Sequence, residues 1–105
     1  MGLDAVIYGR DEQKLASKRV GNVAHIGFLR DAASAVLGGQ SIVVTKILFS
    51  GTHSGDSLAV ADLELLAGEL QTLQSSAEAD VRSFASNMAD LVRLALRHET
   101  TIHFV

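Results

Sequence analysis

The segment that most constrains the fold is an apolar run over residues 42–49, with the sequence IVVTKILF. β-Branched and aromatic residues favour strands, and both alternating faces of this run are apolar. Two apolar faces are typical of a strand that is covered on both sides. The run therefore predicts a buried strand. Lys46 interrupts the pattern, and we expect its stem to be buried near a sheet edge with its amine in solvent. A role in a site is the alternative for this lysine.

The flanking segments predict a single domain, residues 1–105, with an α+β fold. Residues 3–8 favour an opening strand, residues 101–105 favour a closing strand, and residues 9–21 indicate a polar connection. Asn22 can cap a helix that Gly38 and Gly39 end. Residues 57–74 and 77–98 predict two amphipathic helices joined as a tight hairpin.

The apolar face of the last helix is expected to comprise Val81, Phe84, Ala85, Met88, Leu91, Val92 and Ala95. The predicted order is β-α-β-α-α-β, a single-layer small sheet packed by three helices. A right-handed crossover would make the first two strands parallel, and the helical hairpin would return the last strand antiparallel to the second.

Composition narrows the classes of function. Twelve acidic residues against nine basic ones give a formal net charge of −3, which argues against nonspecific nucleic-acid binding. The chain has no cysteine, which excludes disulfides, thiolate catalysis and cysteine-ligated zinc. No segment approaches the roughly 20 apolar residues of a membrane span, and the N-terminus lacks the basic region of a signal peptide. We therefore expect a cytoplasmic protein with no nucleic-acid or membrane partner.

The apolar content points to self-association. Hydrophobic residues make up 48% of a chain of only 105 residues. The predicted helix over residues 22–37 is apolar on two faces, which is typical of a helix covered on two sides. Apolar residues beyond what one small core can hide predict a homodimer.

Chemistry-bearing side chains concentrate directly after the predicted strand. The candidate binding residues are Lys46 and the loop residues Gly51, Thr52, His53, Ser54, Gly55 and Asp56. Two glycines let backbone N–H groups converge on an anion, and a following helix N-terminus adds partial positive charge. His53 is able to donate to that anion or transfer protons, and Asp56 is able to orient His53 or cap the next helix. An ordinary turn explains the same glycines.

No catalytic, metal or cofactor site is expected. The glycine spacing matches neither a Walker A motif nor a dinucleotide fingerprint, and the nearby serines lack the GxSxG pattern. The four histidines, His25, His53, His98 and His103, have no HxH or HxxxH spacing, so a shared metal is not expected, and His25 and His103 are expected to have structural roles. Asp4 in the opening strand suggests a structural ion pair, for which Lys46 is a candidate partner.

Several stretches resemble a family of small, largely uncharacterised bacterial proteins. They are MGLDAVIY at 1–8, VGNVA at 20–24, FLR at 28–30, TKILFSGTHSGD at 45–56, MADLV at 88–92 and TIHF at 101–104. The SGTHSGD segment is the most specific. This chain departs from the family in a shorter segment between Tyr8 and Val20, and in Ala59, where a capping serine is expected.

The layout is more distantly similar to immunity proteins of bacterial polymorphic toxin systems. That resemblance implies a protein that binds and blocks a toxin, and it transfers no catalytic residue. We therefore expect a non-enzymatic binding module that uses the loop of residues 50–56. The alternative is a small-ligand or anion-binding protein, or a weak enzyme, with His53 and Asp56 in a pocket beside Lys46 and Arg30.

Overall fold

A computed structural model of the protein describes residues 2–9, 11–48 and 57–105. In chain order its elements are β1 (Gly2–Tyr8), β2 (Lys14–Asn22), α1 (Val23–Leu37), a π-helical turn (Val43–Ile47), α2 (Asp62–Leu73), α3 (Ala79–Arg97) and β3 (Ile102–Phe104). The three strands form one antiparallel sheet in the order β2-β1-β3, packed by the helices. Over the described residues, the predicted α+β class, with a small single-layer sheet and three α-helices, is confirmed.

The predicted strand at residues 42–49 is wrong, because Val43–Ile47 forms a helical turn. Buried residues recur in pairs along this segment, at Val43 and Val44 and again at Ile47 and Leu48, while Thr45 and Lys46 between them are exposed. Pairs spaced four residues apart share one face of a helix. Such a short apolar run fits a strand or a helix equally well by periodicity alone.

The helical form of this segment is held by hydrogen bonds from outside it. The Glu69 carboxylate, on α2, accepts the Ile42 N–H at 3.0 Å and the Val43 N–H at 2.9 Å. Ser41 Oγ accepts the Val44 N–H at 3.2 Å. These three donors lie at the start of a helix, where no carbonyl within the helix is available to them.

The sheet also differs from the prediction in its second strand. Residues 9–21 are not a polar connection, because β2 pairs antiparallel with β1 along Lys14–Asn22. Most of β2 is exposed, and an edge strand with one face and one edge in solvent carries little hydrophobic alternation. Because Val43–Ile47 is helical, the predicted second strand is missing there, so its parallel pairing with the first strand, the crossover and its antiparallel pairing with the last strand are also wrong. Instead, β1 pairs antiparallel with β2 and with β3.

The predicted cap and end of α1 and the predicted apolar face of α3 are confirmed. Asn22 Oδ1 accepts the His25 N–H at 2.8 Å and caps α1, which ends at Leu37 before Gly38 with a φ of +88°. The core lies between the inner face of β1 and the helices. On α3 its members are the seven predicted residues, Val81, Phe84, Ala85, Met88, Leu91, Val92 and Ala95.

No helix in the described parts of the chain is long and apolar enough to cross a membrane.

Candidate binding site

The predicted binding residues of the loop, Gly51, Thr52, His53, Ser54, Gly55 and Asp56, lie outside the described residues. The chain is described again from Ser57, which the sequence analysis placed in a helix. Instead, Ser57 forms an isolated antiparallel bridge with His103 of β3, and α2 begins only at Asp62. The Leu58 N–H donates to Ile102 O at 3.0 Å, and Thr101 Oγ1 donates to Leu58 O at 2.7 Å. The segment that follows the loop is therefore fastened to β3.

Lys46, the remaining predicted binding residue, lies on the π-helical turn and not on a strand. Its Nζ is 2.5 Å from Oδ2 of Asp62, at the first turn of α2. The expected pairing of Lys46 with Asp4 is wrong, because Asp4 Oδ1 lies 2.8 Å from Nε of Arg19 on the neighbouring strand. Lys46 thus joins the π-helical turn to α2. It is not among the described residues that line the two clefts at one end of the sheet.

One end of the sheet carries a cleft of about 460 Å³, here called the Tyr8–His103 cleft. Its described lining comes from the end of β1, the following turn, the segment after α3, and β3; the residues are Tyr8, Gly9, Glu12, Thr100 and His103. A smaller cleft of about 270 Å³ adjoins it through Gly9 and is also lined by Arg97, His98 and Glu99. Hydroxyl, imidazole and carboxylate groups are therefore available together at this end.

Strand alternation places the two rings of the cleft on the same face of the sheet. Ala5 and Ile7 of β1 point into the core, so Val6 and Tyr8 lie on the opposite face. His103 pairs with Val6 in the antiparallel register and shares that face. The Tyr8 and His103 ring centroids are 5.5 Å apart with an interplanar angle of 60°, within the range of tilted aromatic contacts.

Both clefts are bordered by a glutamate in the left-handed backbone conformation. Glu12, in the turn between β1 and β2, has a φ of +58°, and Glu99 has a φ of +54°. Among the described residues these are the two non-glycine positions with positive φ. Each conformation has a local cause in a hydrogen-bonded turn.

Glu12 closes the turn between β1 and β2. Its N–H donates to Gly9 O at 3.0 Å, and the Gly9 N–H donates to Gln13 O at 2.8 Å. A residue in the left-handed region is common in short hairpin loops, where glycine is usual.

Glu99 occupies the position after the C-cap of α3. Its N–H donates to Leu96 O at 3.3 Å, and the Thr100 N–H donates to Ala95 O at 2.9 Å. This pair of bonds is the Schellman motif, in which glycine is the usual residue at the position of Glu99. The motif turns the chain out of α3 and brings Thr100 to the cleft.

Sequence reasoning missed Tyr8, Glu12 and Thr100 as members of a site, and it gave His103 only a structural role. Alternation within residues 3–8 and 101–105 is a signal that can place Tyr8 and His103 on one face. Their proximity, however, depends on β1 and β3 being neighbours, which the predicted strand at 42–49 obscured. Among the described residues, no group of three or more side chains is arranged to hold a metal ion.

No protein-family model matches this chain, and no curated protein or solved structure matches it either. The geometry of the cleft is therefore the basis for the functional argument.

Proposed function

We propose that the protein is a non-enzymatic binding module that contacts a protein partner through the Tyr8–His103 cleft and through the loop of residues 50–56, which precedes Ser57 in the sequence. One observation carries this proposal. Ser57, the residue directly after the loop, is bridged to His103, which itself lines the cleft. The most specific sequence segment and the cleft are thereby linked through a single pair of residues.

The chemistry of the cleft suits protein recognition. Tyrosine is enriched at the energetic centres of interfaces, because its ring buries a large area while its hydroxyl keeps a hydrogen-bonding partner. Tyr8 is half-buried beside His103, so the ring is partly fixed before a partner arrives. Prior ordering lowers the entropic cost of binding. Neutralisation of a toxin in the bacterial cytoplasm is the specific form of this function that the resemblance to immunity proteins suggests.

Site-specific photo-crosslinking in the cells that naturally express the chain tests this proposal. A benzoylphenylalanine in place of Thr100 sits in the cleft, and the same residue in place of Gln71, exposed on α2, is the matched control. We expect a protein adduct from position 100 that is absent from position 71 and is lost when Tyr8→Ala is added. Equal adducts at both positions, or none at position 100, would overturn the proposal.

A second candidate function is the binding of a small ligand or an anion, or weak catalysis upon one. The volume of about 460 Å³ favours it, since small-molecule sites typically enclose roughly 300–1,000 Å³. The role of His53 and Asp56 beside Lys46 and Arg30, which the sequence suggests for this alternative, stays a prediction. Native mass spectrometry of the freshly purified protein tests it. A bound small molecule that His103→Ala releases supports this candidate, and a spectrum of the bare chain counts against it.

Self-association remains part of the proposal. Leu29 and Ala33 of α1 are buried in the core, whereas Phe28 is 44% exposed and Val36 is 50% exposed. A second copy packed on this outer surface of α1 would cover both side chains. Light scattering coupled to size exclusion should give the mass of a dimer, and Phe28→Glu should give that of a monomer. A wild-type monomer at high concentration would contradict the dimer.

A further inference from the structure

We propose that the Tyr8–His103 cleft receives the cationic end of a lysine or arginine side chain from the partner. The inference rests on the proposed function and adds the chemical identity of the group that the cleft holds. It is carried by the charge of the cleft lining and by its aromatic ring.

The charge of the lining favours a cation. Among the described residues that line the Tyr8–His103 cleft, Glu12 is the one with a formal charge. In the adjoining cleft Arg97 and Glu99 offset each other, so the charge summed over both described linings is negative, with His counted as neutral. The whole chain has the same sign, at −3. A basic partner group would therefore be attracted both at long range and at the cleft.

The ring of Tyr8 adds a second attraction for a cation. Ammonium and guanidinium groups bind the faces of aromatic rings when they lie within about 6 Å of the ring centroid. Thr100 contributes a hydroxyl that can accept a hydrogen bond from the same group. The side chains of lysine and arginine carry a positive charge and donate hydrogen bonds. The carboxylate and the aromatic ring of the cleft attract the charge, and the hydroxyl accepts a hydrogen bond.

Glu12 and Glu99 stand at turn positions where glycine is usual. Glycine would adopt the backbone conformations of Glu12 and Glu99 without a steric penalty, yet a carboxylate stands at both places. Here both carboxylates border adjoining clefts at one end of the sheet.

The test is an NMR titration of the ¹⁵N-labelled protein with Nα-acetyl-arginine methylamide. The matched citrulline derivative has nearly the same shape without the charge, and the matched glutamate derivative and inorganic phosphate are the anionic probes. We expect the arginine probe to shift the amide signals of Gly9, Glu12 and Thr100, and the citrulline probe to bind more weakly. Glu12→Gln should lower the affinity of the protein for the arginine probe about threefold to fivefold. Glu64→Gln, on α2, is the control and should leave that affinity unchanged.

Other results would overturn the inference. Stronger binding of the glutamate probe or phosphate at the same signals would assign the cleft to anions through Arg97 and His98. Equal affinity for the arginine and citrulline probes, or unchanged affinity in Glu12→Gln, would remove the role of charge, and so would an absence of shifts at the cleft.

The two proposals can fail separately. If a crosslinked adduct forms at position 100 but the arginine probe shifts no signal, only the proposal that the cleft binds a cationic group is overturned. If the arginine probe binds but no adduct forms, only the proposal of a protein partner is overturned.

Discussion

Replacing Glu69 with glutamine should destabilise the protein by about 2 kcal/mol, since hydrogen bonds to charged groups contribute about 1.5–3 kcal/mol each. The two carboxylate oxygens of Glu69 accept separate backbone N–H groups, from Ile42 at 3.0 Å and from Val43 at 2.9 Å. Glutamine keeps one acceptor oxygen, but its amide nitrogen is a donor and would face the other N–H. The substitution therefore removes one bond, weakens the second and leaves a partly buried donor without a partner.

Urea denaturation followed by circular dichroism measures this effect. For a urea dependence of roughly 2 kcal/mol per M, the midpoint should fall by about 1 M. Glu64→Gln is the matched control, because Glu64 is exposed on the same helix and its loss should cost less than about 1 kcal/mol. If Glu69→Gln costs no more than this control, Glu69 does not hold the π-helical turn and the reasoning about residues 42–49 fails.

Three further predictions concern caps and core. Glu99→Gly should stabilise the protein by about 1 kcal/mol, because glycine adopts the left-handed backbone conformation of this position without a steric penalty. Glu64→Gly, within α2, is the control and should destabilise the protein by a similar amount. Thermal unfolding that shifts the stability of both variants in the same direction would contradict this prediction. Asn22→Ala should cost about 1 kcal/mol, while Asn22→Ser keeps a capping oxygen and should cost much less, and equal losses in urea would refute the cap. Leu66→Ala should lower the free energy of unfolding by about 2–5 kcal/mol, because Leu66 is fully buried. Leu65 is 66% exposed, so Leu65→Ala should lower it by less than about 0.5 kcal/mol. Similar urea midpoints for the two variants would be inconsistent with the described core.

The parts of the fold that could be predicted are those in which a long pattern repeats. α3 spans 19 residues, and its apolar side chains recur at helical spacing often enough to define the buried face. The cap of α1 could be predicted because Asn22 and Gly38 act locally, through their own side chain and backbone. In both cases the information lies within the element itself.

The π-helical turn could not be predicted because its decisive contacts come from a distant part of the chain. β-Branched residues in Val43–Ile47 favour a strand, and their short apolar pattern also fits a helix. Glu69 lies 26 residues beyond Val43, and nothing within the segment indicates that this carboxylate would accept its first N–H groups. Tertiary contacts here overrode the local preference.

The candidate site could be predicted only in part from the sequence, for a related reason. The loop of residues 50–56 stood out by its glycines, hydroxyls and imidazole, and its role stays a prediction. The cleft depends on β1 lying between β2 and β3, and β2 is a polar edge strand whose pattern does not resemble a buried one. Without that strand order, Tyr8 and His103 remain separate residues almost a whole chain apart.

The most direct test of the binding account is a calorimetric titration of the partner that is crosslinked through position 100. The purified partner should bind the His103→Ala variant at least tenfold more weakly than the wild type, which corresponds to about 1.4 kcal/mol, since side chains at the centre of an interface often contribute more than this. Gln71→Ala should bind like the wild type, and circular dichroism should show that both variants are folded. A His103→Ala variant that is folded and binds with wild-type affinity would contradict the account.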